Sequence, residues 1–369
     1  MGIKRITNRL DNEILPLRGF VSSLVHQRSA VKEMQDPVDI VVTWVDGNDP
    51  KWQADREAYA RIDTGKIGDL GNGPCRYRDW SFFRYWFRAI EKYAPWCNKV
   101  YFVTYGHVPQ WLNLECPKLR IVRHEDFIPQ EYLPTFNSIP IELNLHRIPE
   151  LSEHFVYFND DMFLARPCEV TDFFRGGNPC ICPIPFPQTP NVNQVASHIF
   201  YATYCEINQN NNFTAAIRER PELWFSYANL HYYPHVKRTL RENIVYGGFF
   251  SHMGVPFCKS TMEKAWKKYP GISETCKHKF RTPLDVMHLL FSVENLISGN
   301  FSPVKPEHFG TIVDMLDYPR IRRLFEEKTS RMVCFTDSND YTNEDEKCIN
   351  QTLNEMFERI FPEKSVFEK

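Results

Sequence analysis

Residues 38–45 read Val-Asp-Ile-Val-Val-Thr-Trp-Val, a nearly continuous apolar run that is rich in β-branched side chains. Such a run predicts a strand that is buried on both faces, as in a parallel sheet. It ends in Asp46-Gly47-Asn48-Asp49-Pro50, which is a dense turn signal. Because open α/β sheets bind ligands at the carboxyl ends of their strands, this turn is a candidate edge of a binding site.

Strand and helix signals alternate through the first half of the chain. Apolar residues at helical spacing predict a helix over Trp80–Ala94 and another over Glu142–Ile148. The remaining predictions for this half are strands at Lys99–Thr104, Leu119–Val122 and Phe155–Phe158 and a helix-like piece at Pro109–Leu112. The alternation predicts an α/β fold with a Rossmann-like mixed sheet flanked by helices.

The second half of the chain, residues 191–369, predicts mainly helices. The candidates are Val195–Tyr204, Glu263–Lys268, Pro283–Ser298 and Asn350–Phe361. We therefore predict one catalytic domain over residues 36–369, with an α/β half at 36–190 and a mainly helical half at 191–369. The polar stretch Trp52–Gly73 predicts a mobile connection, and the Pro-rich stretch Cys180–Pro190 a turn or an edge.

Composition narrows the classes of ligand. The 369 residues carry a net charge of -2, so nothing global favours nucleic acid, and an anionic ligand would need a local basic cluster. The aromatic fraction of 14% mildly favours a carbohydrate or a nucleotide, which stack on aromatic rings. The eleven cysteines are scattered without a C-x-x-C pair, which favours reduced thiols and a cytoplasmic protein.

The first 35 residues form a basic segment of their own. Lys4, Arg5, Arg9, Arg18 and Arg28 alternate with aliphatic residues, and no run is long enough for a signal peptide core or a membrane span. The segment is either a solvated helix or a peripheral contact with an anionic lipid surface, which would be the inner face of the cell membrane.

The sharpest chemical feature is Asn159-Asp160-Asp161, directly after the predicted strand Phe155–Phe158. Adjacent carboxylates at a buried strand end require a cation or hydrogen-bond donors to compensate them. Mg²⁺ prefers such oxygen ligands, often one or two carboxylates together with substrate phosphates. The structural alternative is a turn or a helix cap.

Two further groups have a functional and a structural interpretation. Asp46 and Asp49 form a second acidic strand end or, alternatively, an Asx-type turn. Arg76 and Arg78 precede the helix predicted at Trp80–Ala94, where they would hold phosphate or form a surface ion-pair cluster.

A basic and a titratable residue complete the candidate set. Arg281 lies in a basic stretch and could hold a phosphate through two hydrogen bonds, although a solvated basic face is the alternative. His252 lies in a predicted loop, where it could act as a general base, whereas His231 and His235 are a weaker pair of candidates.

These residues fall in four ordered blocks that resemble the conserved regions of the Stealth family. The blocks are Asp39–Pro50; Arg76–Asp79 through Phe158–Leu164; His252-Met253 through Phe280–Asp285; and Val333–Asp340 with the tail Phe361–Glu368. Together they span most of residues 36–369.

The resemblance implies a Rossmann-like core of the glycosyltransferase type and a metal-dependent sugar-1-phosphate transferase of capsule or exopolysaccharide synthesis. The donor would be a nucleotide-sugar, most readily a UDP-sugar, the acceptor a glycan hydroxyl, and the cofactor Mg²⁺ or Mn²⁺. Asp160 and Asp161 would hold the metal, and His252, Arg281, Asp161 and Asp46 would be catalytic. The donor would be bound by Asp49, Arg76, Arg78 and Asn159.

Two rival functions remain open from sequence. A conventional metal-dependent glycosyltransferase would use the same donor and fold but attack the sugar carbon. A non-catalytic glycan-binding protein would keep the scaffold alone. Phosphoryl transfer requires positioning, charge neutralisation and a proton acceptor, which acids, arginines and one histidine supply.

Overall fold

A computed structural model describes residues 13–25, 34–62, 72–185, 187–189, 191, 194–248 and 252–369. In the described residues the strands are β1 Val38–Thr43, β2 Val100–Thr104, β3 Leu119–Arg123, β4 His154–Asn159, β5 Met162–Leu164, β6 Phe174–Arg175, β7 Asn178–Ile181, β8 Val255–Cys258, β9 Ser302–Pro303, β10 Gly310–Asp314 and β11 Met332–Thr336. The helices are α1 at residues 13–25, α2 Pro50–Ile62, α3 Arg84–Tyr93, α4 Ser138–Asn144, α5 Val170–Phe173, α6 Val195–Asn210, α7 Phe213–Glu219, α8 Pro221–Trp224, α9 Tyr233–Glu242, α10 Lys259–Lys268, α11 Gly271–Cys276, α12 Leu289–Ser298, α13 Tyr318–Glu326 and α14 Asn343–Ile360.

The central sheet has five strands in the order β3-β2-β1-β4-β8, and the first four are parallel. Strand β8 closes one edge antiparallel to β4. The chain leaves β1 toward β2 and β3 and then returns to β4 on the other side of β1. A crevice forms at the carboxyl ends of two strands where the order reverses in this way. The register places Thr43 of β1 beside Asn159 of β4 at that point.

Both faces of the sheet are covered, as the near-continuous apolar strands predict. Along β1, Ile40 and Val42 pack into the core on the side of α3. Val41, between them, packs into the second core with helices of the C-terminal half. Because side chains alternate across a strand, one buried run stabilises both layers. The predicted fold class, an α/β Rossmann-like sheet with a mainly helical C-terminal half, is confirmed.

The C-terminal residues return to the α/β half and complete it. Strand β11 pairs with β5, which directly follows the Asp160-Asp161 pair. Farther on, the tail places Glu368 against Arg88 of α3 with two hydrogen bonds, at 2.8 and 2.9 Å, in the buried interior. A buried ion pair of this geometry resists separation, since either partner alone would be an uncompensated charge. The tail is therefore part of the core of the first half.

Several predicted elements need correction. The stretch predicted as a mobile connection contains helix α2 over Pro50–Ile62, and only residues 63–71 of it lie outside the described residues. Asp49 accepts the backbone N–H of Trp52 at 2.7 Å, and the Trp52 ring is buried. That packing stabilises a helix whose sequence is mostly polar. Pro109–Leu112 is a turn, and α3 begins at Arg84 rather than at Trp80.

Candidate functional site

A cavity of about 660 Å³ opens at the carboxyl ends of β1 and β4, at the reversal of strand order. Thr43 and Asn159 form part of its floor, and Phe335 to Asp337, at the end of β11, form one wall. Seven of the nine residues to which the family resemblance assigns a role line it. These are Arg76, Arg78, Asn159, Asp160, Asp161, His252 and Arg281.

Asp46 and Asp49 are not among the residues that line this cavity. The Asp46 carboxylate accepts the backbone N–H of Asn48 at 2.9 Å, and Asp49 accepts that of Trp52, as described above. Asp46 is therefore in the Asx-type turn that the sequence left open as the structural alternative, and Asp49 caps the helix α2 that follows this turn. Asp46 nevertheless lies close enough to Asp79 to raise the pKa of that carboxyl.

Four aspartates converge on the cavity, and only two of them were predicted. Asp160 and Asp161 follow β4, and Asp79 and Asp337 reach the same region from the segment before α3 and the segment after β11. Burial raises the pKa of Asp160 well above its usual range, and the charges of Asp161, Asp79 and Asp337 raise it further. Crowded carboxylates of this kind favour a bound proton or a cation.

The Asp161 carboxylate lies between the histidine and the buried core. Its Oδ2 is 3.7 Å from Nε2 of His252, and its Oδ1 is buried without a hydrogen-bond partner among the described residues. The thiol of Cys334 is near both side chains, with candidate ligand atoms of the three within 4.8 Å of one another. Burial and the Asp161 charge raise the pKa of Cys334, so this thiol stays protonated and is a poor ligand for a hard cation.

Asp79 gives a test of the electrostatics that does not depend on activity. Burial raises its pKa to about 6, despite a hydrogen bond from the Trp44 indole at 2.8 Å, and Asp46 raises it further. The folded protein binds the Asp79 proton more tightly than the unfolded chain does. The free energy of unfolding therefore falls as pH rises from about 4 through 6, where this proton is lost. In EDTA, Asp79→Asn should therefore raise the free energy of unfolding at pH 8 by about 2 to 3 kcal/mol, with a smaller gain at pH 5.

Urea unfolding at the two pH values measures this gain. Glu115→Gln, an exposed carboxylate removed in the same way, is the control and should leave the free energy of unfolding unchanged at both pH values. An Asp79→Asn variant that is less stable than the wild type at pH 8 would contradict the electrostatic account.

His252 lies in a segment without regular structure, as predicted, and faces the cavity. Burial lowers its pKa, but the nearby carboxylates of Asp161 and Glu142 outweigh burial and raise the pKa overall. The imidazole is therefore adjacent to a carboxylate that stabilises its protonated form, which is the arrangement a general base needs.

Arg281 is held from both its backbone and its side chain. Its guanidinium donates to the Ser138 hydroxyl at 2.7 Å, and its backbone N–H donates to the side chain of Asn72 at 3.3 Å. Burial lowers its pKa, and the neighbouring charge of Arg76 lowers it further. Two cations brought together in this way in a partly buried wall are suited to an anionic ligand.

The loop that carries Arg281 is fixed by the buried carboxylate of Asp285. This carboxylate accepts the backbone N–H of Thr282 at 3.0 Å and the side-chain amide of Asn137 at 2.8 Å. Asn137 in turn caps α4 through the backbone N–H of Ile139 at 3.1 Å. Since Ser138 belongs to α4, the same network positions both Arg281 and its hydrogen-bond acceptor.

Arg78 lines the cavity but its guanidinium has carboxylate partners. It contacts Asp337 closely, lies 2.9 Å from Glu346 of α14, and stacks over the Trp80 ring at 5.3 Å. This is the ion-pair alternative that the sequence analysis left open for the arginine pair. Arg78 therefore positions Asp337, while Arg76 is the arginine that lies near Arg281.

The Asn159 side chain forms hydrogen bonds with residues at the ends of β1 and β4. Its side-chain oxygen accepts from the Thr43 hydroxyl at 3.2 Å and from the Tyr157 hydroxyl at 2.5 Å. These bonds fix the backbone from which Asp160 and Asp161 project. The structure thus supports a positioning role for Asn159, beside the predicted contact with the donor.

Three acidic residues of the cavity were not predicted from the sequence. Glu142 of α4 accepts a hydrogen bond from His288 at 2.6 Å in the buried floor. Burial raises the pKa of Glu142, but His288, Arg281 and His252 outweigh it and lower the pKa overall. Asp337 could have been predicted from the sequence, because an apolar run followed by an acid, the signal used for Asp160, also occurs there. Asp79 follows Arg78 and has no such run before it. Glu142 carried no signal, because it lies in an ordinary helical pattern.

The fold and cavity define an α/β protein with an acidic centre and a basic wall at its strand ends. Comparison with known families agrees with this class. Residues 36–63 match the family model of Stealth protein CR1, conserved region 1, and residues 76–180 that of Stealth protein CR2, conserved region 2.

Similar proteins cover nearly all of the chain. It is 37% identical over 339 residues to the capsular polysaccharide phosphotransferase WcwK of Streptococcus pneumoniae, which covers 91% of this chain and 100% of that protein. It is 36% identical over 345 residues to the receptor polysaccharide phosphotransferase WefC of Streptococcus oralis, at 90% and 99% coverage. It is 33% identical over 346 residues to the exopolysaccharide phosphotransferase cps2G of Lactiplantibacillus plantarum, at 90% and 96% coverage. The chain belongs to the Stealth family, which confirms the resemblance seen in its motifs.

Proposed function

We propose that this protein transfers a hexose- or N-acetylhexosamine-1-phosphate from a nucleotide-sugar to a hydroxyl of an acceptor glycan, in capsule or exopolysaccharide synthesis. The product is a phosphodiester, and a nucleoside monophosphate is released. The observation that carries the proposal is the meeting of Asp160 and Asp161, His252 and Arg281 in one cavity. The names of the relatives, all phosphotransferases acting on polysaccharides, support the same chemistry.

We further propose that Asp160 and Asp161 hold Mg²⁺ or Mn²⁺. The residues fit a hard cation, because Asp161 has a buried oxygen without a partner among the described residues and Asp160 is held among like charges. When bound, such a cation would neutralise charge on the diphosphate oxygens of the donor. Asp79 and Asp337 would add to the negative potential that attracts it.

The protein's own residues would carry the rest of the reaction. The acceptor oxygen forms a bond to the phosphorus attached to the donor sugar, and the bond from that phosphorus to the nucleoside monophosphate breaks. His252 takes the proton of the acceptor hydroxyl, and Asp161 holds the imidazole in place through the 3.7 Å contact. Arg281, with Arg76 beside it, stabilises the charge that spreads over the phosphoryl oxygens.

The donor nucleotide would lie toward the aromatic part of the cavity. Trp52, Tyr77 and Phe136 line it there, with ring centroids 4.9 Å apart between Trp52 and Tyr77 and 5.9 Å between Trp52 and Phe136. Aromatic faces stack with nucleobases and with sugar rings. We infer a nucleoside diphosphate sugar as donor, with a UDP-sugar favoured, and the base near Tyr77, which is only partly buried.

Product analysis tests the proposal. The purified protein is incubated with UDP- or GDP-sugars, a capsular glycan acceptor and Mg²⁺, and both the released nucleotide and the ³¹P NMR spectrum of the glycan are recorded. Nucleoside monophosphate together with a phosphodiester signal is the expected result. Nucleoside diphosphate with a phosphorus-free glycan would instead identify a conventional glycosyltransferase. Glycan binding without turnover of any donor would identify a non-catalytic glycan-binding protein.

The proposed cation should also stabilise the fold. Mn²⁺ or Mg²⁺ should raise the Tm of the wild type by on the order of 3 °C, because ligand binding to the native state alone stabilises it. Asp160→Asn should lose most of this increase, whereas Glu327→Gln, which removes an exposed carboxylate, should keep it. Differential scanning fluorimetry with and without EDTA measures both. An increase of equal size in Asp160→Asn would contradict the assignment.

The cellular location stays a prediction: a cytoplasmic protein with peripheral contact at the inner face of the membrane. Among the described residues, no helix is both long and apolar enough to cross a bilayer. Of the basic segment, residues 1–12 and 26–33 lie outside the described residues. Its central part is helix α1.

A further inference from the structure

Helix α1 has one face packed on the protein and an apolar face turned outward. On the inner face Pro16 and Gly19 are buried, and a Cβ on Gly19 would come within 2.5 Å of the Pro221 carbonyl oxygen. This close approach fixes the rotation of the helix. The outward side chains are Ile14, Leu17, Val21, Leu24 and Val25, with exposed fractions of 58, 65, 53, 41 and 65%.

These five aliphatic side chains form a single stripe. Their spacing of three and four residues places them along one side of an α-helix. A helix on a globular protein normally turns its apolar side to the core and its polar side to water. In α1 the small residues Gly19 and Ser23 face the core, and large aliphatic residues face outward. A contiguous exposed apolar stripe of this kind marks a surface that contacts something other than water.

The charges of the N-terminal segment indicate what kind of partner the stripe contacts. The first 30 residues hold five basic and two acidic residues, whereas the whole chain has a net charge of -2. Positive charge is therefore concentrated in the part of the sequence that carries the stripe, on a chain that is otherwise acidic. One of the two acids, Glu13, is paired with Lys237 of α9 at 3.1 Å. Basic residues flanking an apolar helix face favour a bilayer that contains anionic lipids.

A segment that packs against α1 also exposes apolar side chains. The Cβ position of Gly19 also meets Phe225 at 3.0 Å, and the 3₁₀ turn that follows, Tyr227–Tyr232, exposes Tyr227 and Leu230 by 47 and 49%. The ammonium of Lys305 lies 4.9 Å from the centre of the Tyr227 ring. Tyrosine and lysine side chains of this kind suit the headgroup region, where one end is apolar and the other hydrated.

We propose that the outward face of α1, formed by Ile14, Leu17, Val21, Leu24 and Val25, lies on a membrane surface that contains anionic phospholipid. The helix would lie in the plane of the interface, with the basic residues of the N-terminal segment against the headgroups. None of these five residues lines the catalytic cavity. The inference is therefore independent of the transfer reaction, and either can fail without the other.

Vesicle binding tests this surface. The full-length protein is sedimented with vesicles of phosphatidylcholine alone and of phosphatidylcholine mixed with phosphatidylglycerol. We expect binding to the anionic vesicles that weakens in high salt, and little binding to the neutral ones. The double variant Leu17→Glu/Val21→Glu should bind at least about tenfold more weakly, because it places two charges in the apolar face.

The matched control is Leu114→Glu/Val366→Glu, which changes two aliphatic residues of similar exposure, 51 and 53%, elsewhere on the surface. It should bind anionic vesicles like the wild type. The milder Leu17→Ser/Val21→Ser variant gives the same test should the glutamates unfold α1, and circular dichroism checks both. Turnover of a soluble acceptor should not change in any of these variants.

Two results would overturn the proposal. One is vesicle binding that is absent in the wild type or equal in the wild type and the Leu17→Glu/Val21→Glu variant. The other is a dimer, seen by sedimentation equilibrium, that the variant converts to monomer while vesicle binding persists. That outcome would identify the apolar face as an interface between two copies of the chain.

Discussion

Replacing Arg281 with methionine is expected to lower kcat by roughly 10³-fold or more, the range over which an arginine on a transferring phosphoryl group contributes. The guanidinium donates to Ser138 at 2.7 Å, and the Arg281 backbone is held by Asn72, so the side chain is fixed before the substrate binds. Such preorganised charge acts mainly on the transition state, where negative charge is redistributed.

The same substitution should not destabilise the protein. Burial and the charge of Arg76 both lower the pKa of Arg281, so the charged side chain is unfavourable in the fold without a ligand. Arg281→Met should therefore have a Tm equal to or above that of the wild type, while it loses turnover. A large loss of Tm would indicate that Arg281 is structural, and its place in the reaction would then be wrong.

Two further variants serve as comparisons for Arg281→Met. Arg281→Lys keeps a charge but loses the planar pair of donors, so it should recover only part of the rate. Arg241→Met removes an exposed arginine of α9 that is far from the cavity lining and should leave kcat unchanged. Steady-state kinetics on all three variants, with release of nucleoside monophosphate as the readout, decides between the outcomes.

Replacing His252 with glutamine is expected to lower kcat by about 10²- to 10⁴-fold, the usual contribution of a general base. The effect should fall on kcat, with the KM for the donor little changed, because the imidazole acts on the acceptor hydroxyl and glutamine retains polarity and length. The Asp161 contact at 3.7 Å, which orients the ring, is lost with it.

The control for His252 is His231→Gln, an exposed histidine of the 3₁₀ turn Tyr227–Tyr232 that was a weaker candidate in the sequence. It does not line the cavity and should keep full activity. A His252→Gln variant with kcat within about threefold of the wild type would show that another group accepts the proton. Glu142, buried in the floor of the cavity, would then be the next candidate.

Much of the fold could be predicted because the strands bury both of their faces. Continuous apolar runs such as Val38–Val45 and Phe155–Phe158 leave few alternatives to a covered parallel sheet. Helix α2 was missed because its sequence is polar, and it is stabilised by the packing of Trp52 and by the cap from Asp49. Pro109–Leu112 was wrongly predicted as helical, since a short apolar pattern with a proline fits a turn as well.

The sequence by itself determined the parallel sheet, the strand-end position of Asp160 and Asp161, and the family, since these depend on residue order along the chain. Only the tertiary structure decided which of the remaining candidates belong together. In the structure, Asp46 and Asp49 lie in the turn that leads into α2, and Arg78 forms ion pairs with Asp337 and Glu346. Glu142, from an ordinary helix, lines the cavity. The physical reason is that a charged side chain takes the nearest partner in space. For Arg78 and Asp337 that partner lies 259 positions away in the sequence, so no local pattern could reveal it.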